Sequence, residues 1–188
     1  MTRPVRDTRA YVYSCDPESF DEARREVHAA ATIESEWELT PGVWLVTAKH
    51  GFAALAERWR PAGPIIVRHV QPVHLAVPVM VGEHTAGQVA DLLRTQPALL
   101  LDRLDPTLPL SVQSRVFGEL ALKPFDLNRD LAAAAQEVSG ASVDVRAPQQ
   151  VISLAVAPML EGWQREAGKL GLLGRTERGA PSDSVVLL

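Results

Sequence analysis

The stretch Leu110-Ser111-Val112-Gln113-Ser114-Arg115-Val116 and the later run Val151-Ile152-Ser153-Leu154-Ala155-Val156 bracket a helical segment, and that order decides the reading of the second half. Residues 110–117 read as a strand. Asp126-Leu127-Asn128 starts a helix that runs through Val138, and Gly140 ends it as a C-terminal cap. Residues 142–146 and 150–157 then read as strands on either side of an Ala147-Pro148 corner. Upstream, residues 83–95 have helical spacing, with Val89, Leu92 and Leu93 apolar, and residues 98–109 read as a loop broken by Pro106 and Pro109.

The first half has its own order. Residues 10–15 read as a strand, and Asp16-Pro17-Glu18-Ser19 as a turn that caps a helix carrying Phe20, Ala23, Val27 and Ala30. Residues 36–39 and 43–48 flank Thr40-Pro41-Gly42 and read as a hairpin. Phe52, Leu55, Ala56 and Trp59 define a second helix, which Pro61 stops, and residues 64–81 are extended. Strand, helix, hairpin, helix, strand packs most simply as a ferredoxin-like unit. The expected fold class is therefore α/β (α+β). A ferredoxin-like subdomain covers residues 8–80, a second domain covers 81–160, and an irregular glycine-rich tail with an apolar end covers 161–188.

Three segments place an arginine in or beside an extended apolar run. They contain Arg68, Arg115 and Arg146. A sheet carrying regularly placed cations can face a polyanion. The net charge of −4 argues against indiscriminate nucleic-acid binding but leaves room for a local basic face. Between residues 103 and 130 the charges cancel, so surface ion pairs are the competing use of the same arginines.

Residues 110–157 resemble a THUMP domain, an RNA-binding fold of tRNA and rRNA modification enzymes. The match rests on Leu110 to Val116, on Lys123-Pro124-Phe125-Asp126-Leu127-Asn128-Arg129-Asp130-Leu131, and on Val143-Asp144-Val145-Arg146-Ala147-Pro148 leading into Val151. Val67-Arg68-His69-Val70-Gln71-Pro72-Val73 is similar to the join between an N-terminal ferredoxin-like part and the THUMP part. The resemblance extends over roughly residues 8–160 to bacterial rRNA 2′-O-ribose methyltransferases with a THUMP-like N-terminal half. It implies RNA contact at Arg68, Arg115, Lys123, Arg129 and Arg146, with structured RNA (tRNA or rRNA) as the partner.

Chemistry is not legible in the chain. No strand leads into a glycine-rich turn that would cradle S-adenosylmethionine, so no cofactor is expected and the methyltransferase half is read as missing. The histidines show no His-x-x-x-His spacing, and His69 and His74, five residues apart, make a poor metal pair. No catalytic residues are assigned. Cys15 is the single cysteine, reads as a small buried hydrophobe, and fits a reducing cytoplasm. No apolar run is long enough for a membrane span.

The expectation is a non-catalytic RNA-binding module that acts with a separate RNA-modifying or RNA-dependent enzyme. The alternative is a protein-interaction or regulatory subunit whose RNA-binding face has decayed. Trp163 and the apolar end Val185, Val186, Leu187 and Leu188 are its candidate partner-binding residues.

Overall fold

The computed structural model describes residues 7–82, 84–158, 168 and 184–187. Two four-stranded sheets stack face to face, each covered on its outer side by helices. The first sheet holds β1 (Ala10–Ser14), β2 (Ile33–Thr40), β3 (Val43–Ala48) and β4 (His69–Pro72), in the order β2-β3-β1-β4 and antiparallel throughout. Helices α1 (Phe20–Ala30) and α2 (Phe52–Trp59) cover it. This is the ferredoxin-like arrangement expected from the element order.

Side chains alternate along each strand, so one face and the other can be told apart residue by residue. Tyr11, Tyr13, Val46 and Ala48 face the helices and pack with Ala23, Val27 and Leu55. Ala10, Val12, Val43 and Leu45 face the second sheet. Phe20 stacks on Trp44 with centroids 4.2 Å apart, and Trp59 packs partly buried on the same cluster. Both tryptophans belong to the core. Cys15 is buried, and burial pushes its thiol pKa up.

The β2–β3 turn is Pro41-Gly42, with Gly42 at φ 78°. A Cβ there would lie 2.6 Å from the Cys15 carbonyl oxygen, so only glycine fits. The Cys15 N–H donates to the Gly42 carbonyl at 2.9 Å, which ties this turn to the end of β1.

The second sheet has the order β5-β8-β7-β6, from β5 (Ala76–Val79), β6 (Leu110–Val116), β7 (Gln150–Pro158) and β8 (Ser184–Leu187). β6 and β7 run parallel, joined by the crossover helix α5 (Pro124–Ser139). Proline at the first position of α5 and Gly140 at φ 76° after its end set the limits of the helix. Helices α3 (Thr85–Thr95) and α5 cover the outer face, where Val89, Leu93, Leu127 and Leu131 meet Val77, Val112, Leu154 and Val186.

Four expectations need correction. The extended run 64–81 breaks at Val73-His74-Leu75, and β5 then joins the second sheet although it precedes residue 80. Residues 98–101 form a short helix, α4 (Ala98–Leu101). Residues 142–146 are not a strand. Only Val143 bridges to Leu110, because the Asp144 carboxylate accepts from the N–H groups of Arg146 (2.8 Å) and Ala147 (3.1 Å) and turns the chain outward.

The fourth correction concerns the apolar end. Val185 and Val186 are not available to a partner: both are fully buried in β8, an interior strand between β5 and β7. Val185 faces the first sheet and Val186 faces α3 and α5. Leu187 pairs through its backbone with Ala76 and Ala155. A run of apolar residues filling both faces of a strand is what an interior position requires, and sequence alone cannot separate that from an exposed sticky end. Trp163 and Leu188 lie outside the described residues.

A carboxylate fixes the approach to β4. Glu26 of α1 accepts from the N–H groups of Ile65, Ile66 and Val67 at 2.8, 2.9 and 3.0 Å. Burial pushes its pKa up, but the three backbone donors outweigh that and leave it below the ordinary value of 4.5.

Two predictions follow from this packing. Because the folded pKa of Glu26 is depressed, its contribution is complete above the unfolded value near 4.5 and is lost as pH falls through the folded value. Glu26→Gln should destabilise the protein by about 1–2 kcal/mol at neutral pH, with the gap to wild type narrowing in acid, as read by urea melts at several pH values. Val186→Ala should cost about 1–3 kcal/mol. Deleting residues 184–188 should abolish cooperative unfolding of the second sheet. A truncated chain that melts like the full one would return the segment to a docking role.

Candidate nucleic-acid interface

The ends of several strands meet at one edge of the sandwich. A Cβ on Gly118, just beyond β6, would lie 3.1 Å from Pro158 at the end of β7 and 3.6 Å from Thr40 at the end of β2. Thr40 pairs with Val43, Val43 with Ser14, and Ser14 with His69. The ends of β1, β2, β6 and β7 and the start of β4 therefore share this edge. The Arg68 N–H donates to the Ser14 carbonyl at 2.8 Å, and Arg115 is the penultimate residue of β6. Lys123 and Arg129 belong to the start of α5, which the Ser114 hydroxyl joins to β6 by donating to the Pro124 carbonyl at 2.9 Å.

Four of the five expected cations thus gather at one edge, and Arg146 does not. The turn that carries it is tied to the opposite end of β6, where the Asp144 N–H donates to the Leu110 carbonyl at 2.8 Å. Five residues of strand separate Leu110 from Arg115, about 17 Å at roughly 3.3 Å per residue.

The four also differ in how they are neutralised. Arg68 pairs with Asp16 at 3.1 Å, and Arg129 pairs with Asp130 at 2.7 Å and Asp126 at 3.2 Å. The hydrogen bond that Arg129 donates to Asp130, and the charge of that carboxylate, raise the Arg129 pKa. Among the described residues Arg115 and Lys123 make no ion pair. Ion pairing therefore accounts for Arg68 and Arg129 and leaves Arg115 and Lys123 available to an anion.

Sequence reasoning missed two residues here. Phe125 follows Lys123-Pro124 and is 73% exposed, an aromatic ring open to solvent. The signal was present: the buried stripe of α5 is Leu127, Leu131, Ala134 and Ala135, and residue 125 falls off it. The other is His69. His69 and Gln71 lie on the face of β4 that points to the second sheet, since Val70 between them packs toward the helices. Arg115 lies on the face of β6 that points to the first sheet, since Val112 and Val116 pack against α3 and α5. His69 Nε2 lies 3.1 Å from Gln71 Oε1. Burial lowers the His69 pKa, the Gln71 bond raises it, and the positive charge of Arg115 lowers it further, for a net lowering.

A recess of about 290 Å³ lies beside this edge, lined by Gly82, Ala86, Leu122, Lys123, Asp126 and Arg129. Among the described residues no cluster of His, Cys, Asp and Glu could hold a metal ion, and no helix is long and apolar enough to cross a membrane.

No family description and no curated protein matches the chain. Its fold is similar to that of TrmN from Thermus thermophilus, at 14% identity and a TM-score of 0.57 over 95% of this chain and 44% of that one. At that identity the likeness shows a shared fold. The chain spans less than half the length of TrmN. Looser matches are PH1313 from Pyrococcus horikoshii (10% identity, TM-score 0.48, 95% of this chain and 53% of that one) and a 4-thiouridine synthetase solved with RNA and ATP (15%, 0.42, 96% and 41%). At TM-scores below 0.5 these two carry no weight.

The ion-paired arginines are exposed, and such pairs contribute little to folding. Arg68→Ala and Arg129→Ala should each leave the midpoint of denaturant melts essentially unchanged. A clear drop in the midpoint would make these side chains structural.

Proposed function

We propose that this chain is an RNA-binding module for structured RNA, tRNA or rRNA, that acts with a separate RNA-modifying or RNA-dependent enzyme. One observation carries the reading: Arg68, Arg115, Lys123 and Arg129 lie along one edge of the sandwich, two of them without an acidic partner among the described residues. Arginine donates two parallel bonds to a phosphate, and lysine supplies a mobile point charge. Phe125, between the Lys123-Pro124 entry and the first turn of α5, offers a face on which a base can stack. The THUMP-like fold agrees with this assignment, and the rRNA 2′-O-ribose methyltransferase resemblance is kept only as a guide to which RNAs to try.

The competing reading, a protein-interaction subunit, loses its main support once Val185 and Val186 are interior residues. What remains for it is the pairing of Arg68 and Arg129 with acids.

The test is filter or anisotropy binding of bulk tRNA and of rRNA fragments across a salt series. With two to four phosphate contacts, affinity should fall by roughly one to two orders of magnitude between 50 and 200 mM salt. Arg115→Ala and Lys123→Ala should each weaken binding by about 1–2 kcal/mol and reduce the salt slope by about one. Arg146→Ala, at the opposite end, should leave the affinity within about twofold. Absence of binding to either RNA at 50 mM salt would remove the proposal.

A further inference from the structure

Three recesses in the described surface differ in charge. The one between α1 and α2, of about 570 Å³, sets Arg58 beside Glu57. The one at the start of α5 sets Lys123 and Arg129 against Asp126 and Asp130. The third, of about 250 Å³, lies at the other end of the second sheet, where β7 begins beside the start of β6. Arg103 and His74 line it, and none of the described residues in its wall is acidic. Most of that wall is apolar, with Leu75, Leu93, Leu100 and Ile152 belonging to the buried core of the second sheet.

The wall that carries the charge is held by hydrogen bonds. The N–H groups of Arg103 and Leu104 donate to the Leu100 carbonyl at 2.8 and 2.9 Å, so α4 runs on into the residue that supplies the guanidinium. Gln150, at the start of β7, fixes the loop that follows. Its Oε1 accepts from the Asp105 N–H at 3.0 Å, and its Nε2 donates to the Asp105 and Leu108 carbonyls at 2.7 and 2.8 Å. The Asp105 carboxylate is engaged within the loop, accepting from the N–H and hydroxyl of Thr107 at 2.9 and 2.6 Å. The Gln150 amide is thus spent on the backbone. Arg103 supplies the positive charge of the pocket, and the Ser153 hydroxyl and the His74 ring are further groups able to donate.

We infer that this pocket binds a small organic anion with an aliphatic body, a medium-chain carboxylate being the class that fits. The leucines and Ile152 take the apolar body out of water. A carboxylate buried alone is costly, and a guanidinium offsets that cost by donating two parallel bonds. An amine of the same length would meet a like charge with no acid in the wall to receive it. The volume falls below the roughly 300–1,000 Å³ of sites for drug-sized ligands, which keeps the ligand small. Arg115 lies near the far end of β6, so this site is separate from the cationic edge and does not depend on the RNA reading.

The probe is octanoate, with octylamine and octanol as bodies of the same length. Calorimetry on the full chain should show one-to-one octanoate binding with a Kd below about 1 mM. Methyl spectra locate it. Of the four isoleucines only Ile152 lines the pocket, so its signal should move while those of Ile33, Ile65 and Ile66 stay. Arg103→Met keeps the apolar stem and should weaken octanoate by roughly tenfold or more, with octanol changed by less than about twofold. Ser153→Leu, at a half-buried position of the wall, fills the space and should abolish binding of both. If Arg103→Met fails to fold, octylamine on wild type decides the point, since binding as tight as that of octanoate removes the charge argument. Absence of octanoate binding, or binding that leaves Ile152 unmoved, overturns the inference. Octanoate binding that appears only once residue 188 is removed assigns the pocket to the chain's own end, toward which β8 runs, and overturns it as well.

Discussion

The apolar layer between the two sheets is the constraint on which the rest depends. Ala10, Val12, Val43 and Leu45 from one sheet meet Ala76, Ala155, Ala157 and Val185 from the other. The residues from the second sheet are small, which suits close face-to-face packing of two sheets each backed by helices. This layer brings the strand ends of the two halves to a common edge. Without it, Arg68 and Arg115 would belong to separate surfaces.

The second sheet depends on a long-range event. β8 arrives from the far end of the chain and pairs with β5 on one side and β7 on the other. Until it does, those two strands present unpaired edges and the inter-sheet layer lacks Val185. Closing so long a loop carries an entropic cost that grows slowly with length, and the buried faces of Val185 and Val186 offset it.

Electrostatics at that edge are arranged by pairing rather than by excess. The chain carries net negative charge, and two of the four cations there are neutralised by acids, Arg129 by Asp126 and Asp130 on its own helix and Arg68 by Asp16 across the β1–β4 pair. On the proposed reading, contact with an anion falls to Arg115 and Lys123. An acidic protein can in this way keep a small anion-binding area without attracting polyanions in general.

Local physics made much of this legible in the sequence. The helix over Phe20–Ala30, the Pro41-Gly42 turn, the β6 strand and the Gly140 cap all follow from periodicity, turn chemistry and capping, which act over a few residues. The ferredoxin-like order of the first half followed from the same signals. Tertiary structure decided the rest. Ser184 to Leu187 has the same apolar character whether it sticks to a partner or fills an interior strand, and only the gap between β5 and β7 distinguishes the two. Arg146 looked equivalent to Arg115 because both adjoin extended runs, yet the Asp144 carboxylate turns its segment away at the opposite end of β6. His69 entered the sequence reading only as a poor metal partner of His74, because the face it occupies is set by how β4 sits in the first sheet. Spacing along the chain determines local conformation, whereas the sharing of one edge by distant side chains is set by how the two sheets pack.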